Sequence, residues 1–180
     1  MRASLDGKMQ NKRPLVYLWT GNGAGKTTSA LGAALRALGH NQKVVVVQFM
    51  KGWKNIGEYI IRKKLGKNYE IAQFGRKSFV NLRKPAKEDR KIAEKGLEYA
   101  EKALKQRPNL LILDEINLAA AIGLVPRKKV LALIEKANPK TIIYMTGRYA
   151  PREFTERADF VNEINVLKAK RLPAKKGIEY

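Results

Sequence analysis

The nine residues Thr20-Gly21-Asn22-Gly23-Ala24-Gly25-Lys26-Thr27-Thr28 constrain this 180-residue chain more tightly than anything else in it. They follow a short aliphatic run, Leu15 to Trp19, and lead straight into a helical pattern, Thr27 to Leu38. A glycine-rich loop between a strand and a helix is the setting of a phosphate-binding loop. Gly21, Gly23 and Gly25 let the backbone curl with its N–H groups inward, and the helix N-terminus adds its positive dipole end. Lys26 supplies a full positive charge to phosphate oxygens, and the Thr27 hydroxyl is placed to ligate a magnesium ion. Gly21, Asn22, Gly23, Ala24, Gly25, Lys26, Thr27 and Thr28 are therefore the expected ATP-binding residues. The strict pattern has glycine where this chain has Thr20. A glycine-rich turn without a ligand is the alternative, and three alternating glycines ending in Gly-Lys-Thr-Thr weigh against it.

Further short apolar runs recur at Val44 to Phe49, Tyr69 to Phe74, Leu110 to Leu113, Thr141 to Met145 and Val161 to Leu167, and read as strands mostly buried on both faces. Helical patterns alternate with them. Thr27 to Leu38 places Leu31, Leu35 and Leu38 on one face and ends at Gly39, a natural left-handed terminator. Ala86 to Arg107 carries the stripe Ala93, Leu97, Ala100 and Leu104, with Glu98/Lys102 and Glu101/Lys105 as favourable pairs, and Pro108 stops it. Pro126 suits a first helical position, and Pro151 opens a short helix near Glu153 to Ala158. The alternation predicts a three-layer α/β fold, P-loop NTPase-like (RecA-like), with a mainly parallel sheet flanked by helices. Residues 1–14 read as a basic extension and 15–180 as one domain, with Lys51 to Lys67 and Gly75 to Pro85 as loops.

The chemistry such a chain can do is narrow. With no cysteine and only His40, thiolate and multi-histidine metal sites are excluded, so backbone donors, Lys/Arg and carboxylates must serve. Leu110-Leu111-Ile112-Leu113-Asp114-Glu115 ends a buried strand in two acids, either of which suits a magnesium ion directly or through water. The longest aliphatic runs are far shorter than the roughly 20 residues that span a bilayer. Met1 to Pro14 has no apolar stretch like a signal peptide's, so no membrane partner and a cytoplasmic location are expected. A formal charge of +21 predicts attraction to anions, although the lysines are scattered along the chain.

Taken together, several blocks resemble one family. They are Thr20 to Thr28; Val46-Val47-Gln48-Phe49-Met50-Lys51-Gly52 with Gly57-Glu58 after it; Leu113-Asp114-Glu115-Ile116-Asn117; Thr146-Gly147-Arg148; and Lys176-Gly177-Ile178-Glu179-Tyr180. In this order they are similar to the P-loop ATP:corrinoid adenosyltransferases, also called cob(I)alamin adenosyltransferases. The resemblance implies that ATP and a corrinoid reduced to Co(I) are the substrates. Cobalt attacks the ribose C5' and displaces triphosphate, in adenosylcobalamin biosynthesis or salvage. Co(I) is itself a strong nucleophile, so the protein need only position the reactants and stabilise charge. Lys26, Thr27 and Glu115 are then the catalytic candidates, Arg148 a further ATP contact, and Thr27, Asp114 and Glu115 the magnesium candidates.

The family also implies a homodimer and aromatic side chains under the corrin. Phe79 matches one such aromatic and is either a corrinoid contact or a core residue, while Asn81 stands where tryptophan is common. Ala24 replaces a usual lysine, and Lys168 to Lys176 is unlike the family's tail. The excess positive charge makes an acidic electron-transfer protein, such as a flavodoxin-like reductant, a candidate partner. Rival readings are a nucleic-acid-stimulated ATPase, for which no RNA-recognition or zinc-finger signature is present, and a small-molecule kinase.

Overall fold

In the computed structural model, residues 12–170 and 173–178 are described. Most of the basic extension, and Glu179 and Tyr180 of the terminal block, therefore lie outside the described residues. In chain order the elements are β1 (Val16–Thr20), α1 (Lys26–Gly39), β2 (Val44–Phe49), α2 (Gly57–Ile60), α3 (Arg62–Leu65), β3 (Tyr69–Phe74) and α4 (Lys87–Lys105). There follow β4 (Leu110–Asp114), α5 (Ile116–Ala121), α6 (Arg127–Glu135), β5 (Ile142–Thr146), α7 (Arg152–Arg157) and β6 (Phe160–Glu163).

The strands form one sheet in the order β3-β2-β4-β5-β1-β6, with every neighbouring pair parallel. β2 and β4 lie inside the sheet and are buried throughout, as their unbroken apolar runs require. One face is covered by α4 through α7, whose Ala93, Leu97, Val130, Ile134 and Phe154 pack on Val45, Val47, Leu111 and Leu113. On the other, α1 and the α2–α3 pair cover Val44, Val46, Ile71 and Ile112. Since parallel strands all end at one edge, the segments after β1, β2, β4 and β5 converge there, where ligands bind in open α/β sheets.

Several expectations need correcting. β6 is an exposed edge strand ending at Glu163, not a buried one reaching Leu167. It is held by parallel pairing with β1 and by ring stacking, with Phe160 4.5 Å from Tyr17, which stacks in turn on Tyr144 at 4.9 Å. Gly39 remains helical; the left-handed residue past α1 is Asn41, with φ 55. The fully buried face of α1 is Ala30 and Ala34, because small side chains let the helix approach the sheet closely; Leu31 and Leu38 pack partly buried beside them, while Leu35 is 64% exposed. Residues 51–67 contain α2 and α3 rather than loop alone. Pro126 is the residue before α6, with extended ψ 126, not its first turn. The α4 stripe is buried as expected, but Glu101 pairs across to Lys136, just past the end of α6, rather than to Lys105.

Candidate functional site

The loop between β1 and α1 owes its shape to close packing against the segment after β6. A Cβ on Gly21 would lie 2.4 Å from the Ile164 carbonyl oxygen, and one on Gly23 2.8 Å from it. Gly21 and Gly25 also have φ of 92 and 111, which side-chain-bearing residues rarely adopt. The inward curl expected of the N–H groups is incomplete: the Gly23 N–H donates to the Ile164 carbonyl at 2.7 Å. Lys26, only 7% exposed, folds back and donates to the Gly23 carbonyl at 2.6 Å. Burial lowers its ammonium below the ordinary lysine range; Glu115 opposes the shift and Arg148 adds to it.

Under the loop lies Asp114, the last residue of β4 and wholly buried. Register sets it beside Gln48 of β2. Its Oδ1 accepts from the hydroxyls of Thr27 at 2.8 Å and Thr146 at 2.7 Å. Its Oδ2 accepts from Gln48 Nε2 at 3.0 Å and from Lys51 Nζ at 2.8 Å. Burial by itself would raise this carboxyl, but the Lys51 charge and the hydrogen bonds hold it below the usual carboxylate range. Lys51, where the charge of Asp114 outweighs burial, is held above the ordinary lysine range.

Glu115 is left-handed, with φ 62, and its N–H donates to Thr146 Oγ1 at 3.0 Å. Burial raises its carboxyl, with the neighbouring Asp114 charge adding to the shift. Met50 and Tyr149 are also left-handed at this same edge, with φ 56 each. Such conformations cost of order 1 kcal/mol each and gather where a backbone is bent for a site. Gly147, with φ 131, sits where a Cβ would come 2.9 Å from the Leu118 N and 3.2 Å from Glu115 Oε2.

Of the residues singled out in the sequence, Gly23, Ala24, Gly25, Lys26, Thr27, Thr28, Glu115 and Arg148 line one cavity of about 450 Å³. Asp114 sits beneath it, tied to Thr27. Gly21 and Asn22 belong to the loop but not to the cavity lining, and Phe79 lies apart from it. Phe79 is not a core residue: it is 86% exposed and makes an edge contact with Trp53, centroids 5.1 Å apart. Sequence reasoning gave no role to Lys51, Glu58, Gln48 or Thr146, although all four fall within the blocks that carried the resemblance. Lys51 and Glu58 line the cavity, together with Gly177 and Ile178 of the terminal block.

Comparison with known proteins shows the family to which the chain belongs. Residues 12–180 match the family described as ATP:corrinoid adenosyltransferase BtuR/CobO/CobP. The corrinoid adenosyltransferase of Escherichia coli K12 is 35% identical over 162 residues, covering 88% of this chain and 80% of that protein. That of Pseudomonas aeruginosa is 32% identical over 186 residues, covering 99% and 91%. Among solved structures, the flagellar accessory protein FlaH of Methanocaldococcus jannaschii overlays with a TM-score of 0.54 at 16% identity. It covers 83% of this chain and 70% of FlaH, a likeness of fold alone. From its phosphate loop to its terminal block, this chain belongs to the ATP:corrinoid adenosyltransferase family.

Proposed function

We propose that this protein transfers the 5'-deoxyadenosyl group of ATP to the Co(I) centre of a corrinoid and releases triphosphate. The observation that carries the reading is the convergence of Lys26, Thr27, Glu115 and Arg148 on one cavity, in a chain that belongs to this family. The electron pair of Co(I) forms the cobalt–carbon bond, C5'–O breaks, and that bond's pair leaves on the triphosphate. Charge grows on the departing oxygens. Lys26, released from the Gly23 carbonyl, and Arg148 meet it with fixed cations; such donors are worth about 10²–10³ in rate each.

Magnesium fits the residues present: the Thr27 hydroxyl and Asp114 carboxylate are adjacent hard oxygen donors, 2.8 Å apart, with Glu115 next in the chain. The ion would neutralise part of the triphosphate charge. Because the Thr27 hydroxyl donates its hydrogen bond to Asp114 and accepts only a long one, 3.4 Å, from Lys51, it keeps a lone pair that can face that ion. Gly21, Asn22, Gly23, Ala24, Gly25 and Thr28 shape the loop for the phosphates. Phe79, exposed beside Trp53, is the candidate apolar contact for a corrin ring. Residues 15–180 act as one cytoplasmic catalytic domain, working as a homodimer and supplied with electrons by an acidic, flavodoxin-like protein drawn to the +21 charge. Among the described residues no helix is long and apolar enough to cross a membrane.

The test is to mix protein, Mg-ATP and chemically reduced corrinoid without oxygen. A light-sensitive cobalt–carbon adduct is expected; a corrinoid unchanged after many enzyme equivalents of ATP counts against the assignment.

A further inference from the structure

Two charged side chains in the cavity, Lys51 and Glu58, have no task in the transfer above. Lys51 follows β2, and its backbone is fixed by an unusually close crossing. Met50 is left-handed and its N–H donates to the Phe74 carbonyl at 2.9 Å. A Cβ on Gly75 would lie 2.3 Å from the Met50 carbonyl carbon and 2.4 Å from the Lys51 N, so the two segments can meet only because residue 75 is glycine. The Lys51 ammonium then sits 2.8 Å from Asp114 Oδ2 and 3.4 Å from Thr27 Oγ1. Glu58 Oε1 lies 3.9 Å from the same ammonium. Gln48 Nε2 bridges the two carboxylates, donating at 3.0 Å to each. A tethered cation is thus held between two acids, against the hydroxyl and carboxylate that suit a divalent ion.

We propose that Lys51 is a built-in counter-ion that fills the metal's place while no nucleotide is bound. It moves from Asp114 onto Glu58 as the metal–triphosphate arrives. The metal therefore enters with the nucleotide and not ahead of it. This rests on the reading of Thr27 and Asp114 as the metal-binding pair. A divalent ion and an ammonium cannot share Asp114 Oδ2, because like charges a few ångströms apart in a partly buried site repel strongly. Glu58 gives the displaced ammonium a partner without returning it to water. The triphosphate completes the exchange: Thr27 and Asp114 offer a divalent ion two protein oxygens, and the remaining ligands would come from phosphate oxygens and water.

The test is Mn²⁺ binding to nucleotide-free protein, followed by electron paramagnetic resonance, for wild type, Lys51→Met and Lys51→Arg. Lys51→Met, which keeps an unbranched side chain of nearly the same length and loses its charge, should bind Mn²⁺ at least about tenfold more tightly, near the low end for one charge-assisted hydrogen bond. Lys51→Arg should stay as weak as wild type. A purely structural lysine would give the opposite sign or no change, and Lys51→Met binding no more tightly than wild type overturns the proposal. Should Lys51→Met fail to fold, the wild-type melting temperature decides. Mg²⁺ with inorganic triphosphate should raise it and Mg²⁺ alone should not; an equal rise with Mg²⁺ alone overturns the proposal. Asp114→Asn separates the two claims. If it weakens Mn²⁺ binding in the presence of triphosphate while Lys51→Met behaves as wild type, the counter-ion role fails and the metal site stands. If it leaves that binding unchanged, both fail.

Discussion

Replacing Asp114 by asparagine removes one charge from a wholly buried position without changing its volume. Asn keeps one acceptor oxygen for Thr27 and Thr146, but its amide then faces Gln48 Nε2 and Lys51 Nζ, two donors. Gln48 cannot simply rotate, because its Oε1 accepts from Gln73 Nε2 at 3.0 Å. The loss is therefore two hydrogen bonds to an ionised carboxylate, ~1.5–3 kcal/mol each. Breaking a fully buried ion pair costs about 3–5 kcal/mol, but the Lys51 side chain is 22% exposed and has Glu58 nearby, which argues for the lower end. We expect a loss of about 3 kcal/mol, measured by urea unfolding at neutral pH in chelator and without nucleotide. Lys51→Met should recover part of it, so that the double variant is at least ~1 kcal/mol more stable than the sum of the two single losses predicts. A loss under about 1 kcal/mol, or strict additivity, would refute the account of Asp114 as the charged centre of this network.

Three further outcomes are expected. Lys26→Ala should lower kcat about 10²–10³-fold in the anaerobic transfer assay, since the leaving group loses a fixed cation; a near-normal rate would remove Lys26 from that role. Gly147→Ala should destabilise the protein by about 2 kcal/mol or more in urea unfolding and impair turnover, because the new methyl meets the Leu118 backbone at a φ of 131 that L-residues avoid. For pH, Asp114 is depressed when folded, so its contribution is present above about pH 4 and lost as acid protonates it through its lowered value. Lys51 is raised, so its contribution is present below about pH 10 and lost as pH climbs through its folded value. In Lys51→Met burial acts on Asp114 without the ammonium to oppose it, and acid unfolding should begin at higher pH than in wild type; coincident acid limbs would contradict this.

How much of this was legible in the sequence depended on whether the information was local. β2 and β3 were bounded correctly because a run of Val or an alternating run ends sharply at polar and glycine residues. The α4 stripe was equally plain from its spacing. The inner face of α1 was only partly so: Leu31 and Leu38 pack on the core as their spacing suggests, but its most buried positions are the small Ala30 and Ala34, and Leu35 faces outward. Edge position hid the exposure of β6, since strand order is a property of the whole sheet. Lys26 and Thr27 were recoverable because loop chemistry demands them at fixed spacing, and Asp114, with Glu115, because the pair ends a buried apolar strand. Lys51 was not, because its role arises from a backbone crossing with Gly75, a contact between distant segments that no spacing records. The same is true of Ile164, whose carbonyl takes the Gly23 N–H.

The central claim is that the triphosphate is a leaving group and phosphorus is never the site of attack. Phosphorus NMR of a complete anaerobic turnover reads this directly. Intact inorganic triphosphate, appearing in step with the adenosylated corrinoid, is the predicted result; ADP with a phosphorylated acceptor or free phosphate, and no triphosphate, would contradict it.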